Sequence, residues 1–206
     1  MNENIKEKAV AYMDNIQGAI FVPKRFPVNF GTEENALVRF LGCYGAIVRS
    51  RGVEFQMDDS TLSKVEKVVK WIFSSKKRGL LLCGTLGNGK TTMLRTFKTL
   101  LGSKAVYYEA QALYDFYRTN QTLPRIAMDE VLLIDDLGAE PSTYNEFGEK
   151  RYPLVELLLA RYKQNATTVI ATNCSLSQIG ELYGDRVHDR IKEMFVMIRY
   201  VEPSYR

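Results

Sequence analysis

Two kinds of apolar pattern alternate along the chain. Leu80–Cys83, Ala105–Tyr108, Val131–Ile134 and Thr168–Ala171 are short, largely branched or aromatic runs without polar alternation. Runs of this kind belong to strands buried on both faces of a parallel sheet. Between them, apolar residues recur three and four positions apart, the spacing of a helix with one buried face. This pattern predicts helices from about Thr32 to Arg49 (Leu37, Phe40, Leu41, Tyr44, Ile47) and from Asp58–Asp59–Ser60 through Val65, Val68, Val69, Trp71 and Ile72. Further helices follow over Thr92–Lys98, Ala110–Asn120 and Pro153–Lys163. Asp58 suits a helix cap and Pro153 a first helical turn. Gly42 and Gly45 weaken their helix unless something packs closely against them. Residues 1–18 read as an amphipathic helix through Ile5, Ala9, Tyr12, Met13 and Ile16, and the two prolines of Phe21–Val28 break it. Strands alternating with helices predict an α/β three-layer fold, a parallel sheet of about five strands, behind a small helical N-terminal module. The boundary falls between residues 1–52, a helical module that suits partner docking or else packs as an ordinary subdomain on its own core, and residues 53–206, the nucleotide-binding domain.

The loop after the first strand carries the strongest chemistry. Gly84-Thr85-Leu86-Gly87-Asn88-Gly89-Lys90-Thr91 satisfies the phosphate-cradling spacing G-x-x-x-x-G-K-[ST] at every defined position. Glycines at a strand end let consecutive N–H groups turn around a polyphosphate, and the following helix, from Lys90 through Thr92, points its positive end at the same anion. Lys90 reaches the β- and γ-phosphates and Thr91 offers a hydroxyl to Mg²⁺. A glycine-rich turn with no ligand is the alternative, but the buried strand before the loop and the amphipathic helix after it fit a nucleotide cradle. Val131–Ile134 ends in Asp135-Asp136, and ligands in such folds sit beyond the carboxyl ends of the strands. There Asp135 can hold Mg²⁺ and Asp136 can polarise an attacking water; a solvated turn is the alternative.

Three further features carry less specific signals. Thr168–Thr172 ends at Asn173, which can sit beside the terminal phosphate and orient water, or can serve as an N-cap or turn residue before Ser175-Leu176-Ser177-Gln178. Arg186 and Arg190 stand four apart and share a helical face. They suit cations supplied to a neighbouring subunit's phosphoryl group, or pair within their own helix with Asp185 and Asp189. Tyr114, Phe116 and Tyr117 interleave with Arg118 and Arg125, a composition that stacks bases and tracks phosphates but equally makes core.

Taken together, the Gly84–Thr91 loop, LLIDDLG at 132–138, the strand ending Thr172-Asn173, YGDRVHDRI at 183–191 and Ser204-Tyr205-Arg206 resemble the DnaC/IstB group of AAA+ ATPases, nearest to DnaC-type replicative helicase loaders. The resemblance covers roughly residues 50–206. It implies an ATPase that uses ATP and Mg²⁺, with Arg190 as the finger acting in trans and Arg186 as a second interface arginine. It also implies a DnaB-type replicative helicase and single-stranded DNA as partners, with homo-oligomers forming on nucleotide, DNA or partner. Asp136 stands where many AAA+ proteins carry glutamate, which implies slow, partner-stimulated hydrolysis. The chain leaves no room after Arg206 for the helical lid many of them add. A transposition helper of the IstB type shares these motifs, a small-molecule or nucleotide kinase would share the phosphate loop, and an ATP-binding scaffold would bind without turnover.

Composition narrows the field further. With 46% hydrophobic and 25% charged residues the chain is ordinary globular material, and its net charge of +4 is compatible with nucleic acid without requiring it. The polar opening Met1–Lys8 and the lack of any long apolar stretch predict a cytoplasmic protein with no membrane span. Cys43, Cys83 and Cys174 have no metal-ligand spacing and read as reduced and largely buried. A single histidine, His188, argues against zinc sites and histidine triads.

Overall fold

The computed structural model describes residues 26–122 and 131–200, with the side chain of Arg186 left undescribed. The expected helix over residues 1–18, Arg125 and the Ser204-Tyr205-Arg206 ending lie outside the described residues. In chain order the elements are α1 (Glu33–Arg49), α2 (Asp59–Ser74), β1 (Gly79–Gly84), α3 (Lys90–Leu101), β2 (Ala105–Glu109), α4 (Ala110–Asn120), β3 (Val131–Leu137), β4 (Tyr144–Glu146), β5 (Glu149–Arg151), α5 (Pro153–Lys163), β6 (Thr168–Thr172), α6 (Leu176–Tyr183), α7 (Asp185–Met194) and β7 (Phe195–Tyr200).

Five of the strands form one sheet in the order β2-β3-β6-β1-β7, with every pair parallel. The expected α/β three-layer architecture is therefore the observed one. β6 lies between β1 and β3, so the strand ending in Asn173 separates those that deliver the phosphate loop and the two aspartates. The apolar runs of β1, β3 and β6 are buried throughout because helices cover both faces.

One face packs against α1, α2 and α3, where Phe26, Phe30, Phe40, Trp71 and Phe97 meet mostly edge-on. Burying each such side chain stabilises the fold by roughly 2–3 kcal/mol relative to exposure. The other face packs against α4, α5, α6 and α7 around Leu113, Leu132, Leu157, Ile170 and Ile191.

The caps follow from sequence. Thr32 and Asp58 accept from the backbone N–H groups of Asn35 and Thr61, Pro153 opens α5, and Ser175 with Gln178 forms a reciprocal cap on α6. Gly45 has the close neighbour its position requires, since a Cβ there would lie 2.6 Å from the Phe55 ring; Gly42 has none. Helix α1 shares its core with the sheet that α2 and α3 cover. Arg161 is fully buried at the edge where strands begin, donating to the Thr167 carbonyl and the Thr168 hydroxyl. The β4–β5 hairpin was not visible in the sequence: its three-residue strands, Tyr144–Glu146 and Glu149–Arg151, are too short and polar to show alternation.

Candidate functional site

The carboxyl ends of β1, β3 and β6 bring the expected residues together. In the phosphate loop Gly84 has φ +150°, and a Cβ there would lie 2.0 Å from the Tyr200 carbonyl oxygen of β7. Gly89, at φ +95°, caps α3, and its missing Cβ is the space that the Tyr44 hydroxyl of α1 fills. Both positions need glycine for backbone angle and for room. Asn88 is fully buried and donates to the Tyr200 carbonyl at 2.7 Å, which staples the loop to β7. Leu86 projects into solvent, and Thr92 turns its hydroxyl to accept from Arg51 at 3.1 Å. Thus α1 meets the loop at Gly89, and the turn after it meets the first turn of α3 at Thr92.

Lys90 lies folded along the loop, its ammonium donating to the carbonyls of Gly84 at 2.8 Å and Thr85 at 2.6 Å and to Asn88 Oδ1 at 3.1 Å. Burial holds its pKa below the ordinary lysine value, with Asp136 and Asp135 acting the other way. A cation placed among loop carbonyls is the group a polyphosphate would draw away.

Asp135 is buried and accepts from the Thr91 hydroxyl at 3.2 Å, so a hydroxyl and a carboxylate converge as a pair of hard oxygen ligands. This donor set fits Mg²⁺, which takes a few protein oxygens and keeps its remaining positions for water and phosphate. The glycine cradle, Lys90 and the N-terminus of α3 likewise fit a nucleoside triphosphate.

Adjacent strand residues point to opposite faces, so Asp135 and Asp136 could not share a regular strand and one site. The structure resolves this with a bulge. Ile134 pairs with Ile170 and Leu137 with Thr172, leaving two residues of β3 opposite one of β6. Asp136 takes φ +53°, a conformation that costs a non-glycine residue about 1–3 kcal/mol. Its carboxylate thereby accepts from Asn173 Nδ2 at 3.1 Å, while the Thr172 hydroxyl donates to the Leu137 carbonyl at 2.6 Å. Beyond the bulge, buried Glu140 accepts from the Gly138 N–H at 2.9 Å and from the Tyr183 hydroxyl, which ties this turn to α6. Burial raises the Glu140 carboxyl, partly offset by the same two donors.

Arg190 stands elsewhere. It pairs with Glu193, three residues along α7, rather than with Asp185 or Asp189, and its guanidinium lies 5.5 Å over the Tyr162 ring. Tyr162 follows Arg161, which bonds the start of β6, so Arg190 occupies the edge where strands begin, opposite its own phosphate loop. On α4, Leu113, Tyr114 and Tyr117 are buried, leaving Phe116 and Arg118 outward, with Arg118 beside Asp115 at 3.7 Å. Cys83 is buried, while Cys43 and Cys174 are partly exposed. Among the described residues no cluster of three or more His, Cys, Asp or Glu side chains is arranged to hold a metal, and no helix is long and apolar enough to cross a membrane. Tyr107, Tyr44 and Arg51 carried no local signal, because each reaches the site across elements distant in sequence.

Neither a protein-family model nor a curated protein sequence matches the chain. Solved structures do. The chain is similar to DnaI (21% identity, TM-score 0.57, covering 76% of this chain and 89% of that one). It is similar to a putative primosome component from Streptococcus pyogenes serotype M3 (20% identity, TM-score 0.54, covering 72% and 83%). It also resembles AMPPCP-bound DnaA from Aquifex aeolicus (16% identity, TM-score 0.52, covering 71% of this chain), spanning about half that chain's length, 48%. At these identities the likeness establishes the fold alone, a three-layer α/β domain with a phosphate-binding loop after the first strand of its parallel sheet.

Proposed function

We propose that this protein is an ATP-binding and slowly hydrolysing AAA+ switch that acts in DNA replication as a loader for a ring-shaped helicase. The convergence of Lys90, Thr91, Asp135, Asp136 and Asn173 at three adjacent strand ends carries the reading. In it, Lys90 leaves the loop carbonyls to neutralise the terminal phosphates, and Thr91 with Asp135 holds Mg²⁺, which supplies further charge neutralisation when bound. Asp136 and Asn173, already bonded to each other, orient the attacking water. The short Asp136 side chain favours slow turnover that a partner or DNA accelerates.

Arg190 acts on a neighbour's nucleotide. Its place at the edge opposite its own phosphate loop supports this, since a cation there can serve only a site brought to it by another copy. Tyr44 and Arg51 support a further step: a partner that moves α1 also moves the phosphate loop and Thr92. The likeness to DnaI and to a primosome component favours a replicative helicase as that partner, and the likeness to DnaA "bound to AMPPCP and single-stranded DNA" favours single-stranded DNA beside it.

Mixing two inactive variants tests the assembly. Lys90→Ala lacks a working pocket but retains Arg190, while Arg190→Ala retains the pocket. On helicase and single-stranded DNA, the mixture recovers ATPase activity that neither protein has alone. No recovery at any ratio, in mixtures shown by sizing to co-assemble, contradicts action in trans. Failure to associate with the helicase in ATP contradicts the loader role.

A further inference from the structure

We propose that Tyr107, on the edge strand β2, is a positioning residue that fixes the metal-holding carboxylate of Asp135. The proposal rests on the reading of Asp135 as a Mg²⁺ ligand and adds a residue to it. In the parallel pairing of β2 with β3, Tyr107 lies opposite Leu133 and Glu109 opposite Asp135. Tyr107 and Asp135 are therefore diagonal neighbours on the face that α3 covers, within reach of a long side chain leaning along its strand. The contact is made: the Tyr107 hydroxyl donates to Asp135 Oδ2 at 2.6 Å.

The other oxygen, Oδ1, accepts from the Thr91 hydroxyl at 3.2 Å and from the Asp136 N–H at 3.1 Å. Each oxygen thus has its own donors, and the carboxylate can neither swing nor flip without losing one. Tyr107 holds the oxygen away from Thr91, which leaves Oδ1 as the one shared with the threonine hydroxyl.

The placement of the tyrosine argues for this role over simple packing. Its ring walls an open groove of about 710 Å³ together with Ile47, Arg95, Thr99 and Tyr108, so water is available on that side. A tyrosine serving only to cover apolar surface keeps its hydroxyl toward water, because burying an unneeded hydroxyl costs free energy. Tyr107 does the reverse. Partners that orient a metal ligand in this way typically change metal affinity by about 10-fold or more when removed.

The experiment uses the full chain and Mn²⁺, with bound metal read by electron paramagnetic resonance, and measures ATP binding in Mg²⁺ and in EDTA. Tyr107→Phe is expected to raise the half-saturating metal concentration in the presence of ATP by about 10-fold. Affinity for ATP in EDTA is expected to stay within about 2-fold, since Lys90 and the loop are untouched. In an Asp135→Asn background, Tyr107→Phe is expected to change nothing further. An unshifted metal midpoint in the folded variant overturns the proposal, as does a shift that persists at full size in the Asp135→Asn background. Should Tyr107→Phe not fold, Tyr107→Leu removes the same hydroxyl and carries the same expectation. A wild-type protein that binds ATP with no dependence on metal contradicts the assignment of Asp135 itself, whereas metal-dependent wild-type binding with an unshifted variant contradicts only the role of Tyr107.

Discussion

Replacing Asn88 by alanine probes whether the phosphate loop is held in shape by its staple to β7. Asn88 is fully buried, donates to the Tyr200 carbonyl at 2.7 Å, and accepts from Lys90 at 3.1 Å. Alanine removes a buried hydrogen bond with a net value of about 1 kcal/mol and leaves the Tyr200 carbonyl one partner short, at a further 1–3 kcal/mol or so. The Lys90 bond adds little, because its ammonium keeps the carbonyls of Gly84 and Thr85. The expected loss is about 3 kcal/mol, which for a chain of this length lowers Tm by roughly 6–12 °C. Calorimetric or circular-dichroism melting without nucleotide measures it. Asn88→Asp separates the two bonds. It keeps an acceptor for Lys90 but cannot donate to Tyr200 and sets a buried carboxylate against a carbonyl, so it should destabilise at least as much as alanine. A shift below about 2 °C in Asn88→Ala would refute the reasoning, since the loss of the buried hydrogen bond alone amounts to about that much. An Asn88→Asp protein as stable as wild type would refute it too.

Two further outcomes follow from the same geometry. Asp136→Asn keeps an oxygen for Asn173 and leaves Asp135 untouched, so Mg²⁺-dependent ATP affinity should hold while turnover falls by about 100-fold or more; steady-state phosphate release checks this, and surviving turnover would make Asp136 structural. Burial raises the Glu140 carboxyl above its ordinary value of 4.5, so its contribution to stability is full below that value and is lost as pH rises through the folded one. Glu140→Gln carries no such titration, so its stability relative to wild type should increase as pH rises from about 4 to 8 in denaturant unfolding, and a constant or shrinking difference would contradict the sign.

Much of the site was legible because its signals are local. The apolar runs of β1, β3 and β6, the loop from Gly84 to Thr91 and the helix starts at Asp58 and Pro153 are each written in consecutive residues. What sequence could not show depends on pairing between strands or on packing between distant elements. That the carboxylates of Asp135 and Asp136 both reach the same strand-end cluster requires a bulge, and a bulge is a property of how β3 registers on β6. Tyr107 reaches Asp135 only because β2 pairs with β3, and Tyr44 reaches Gly89 only because α1 packs across α3. On α4, helical spacing alone could not divide core from surface. Tyr114 and Tyr117 are buried beneath the β4–β5 hairpin, where the Tyr114 hydroxyl donates to the Thr143 carbonyl and Tyr117 stacks edge-on with Tyr144.

The most direct test of the account is equilibrium binding of ATP to the full chain with Mg²⁺, comparing wild type with Lys90→Ala. The ammonium of buried Lys90 is held within the loop by three acceptors, so the variant is expected to fold with a lowered Tm, and binding is compared at a temperature where both proteins are folded. Wild type is expected to bind, and the variant to lose affinity by about 100-fold, the cost of roughly 3 kcal/mol when a charge-assisted phosphate contact is removed. A wild-type protein that binds no ATP, or a folded Lys90→Ala protein that binds it equally well, would contradict the claim that this loop is a nucleotide site.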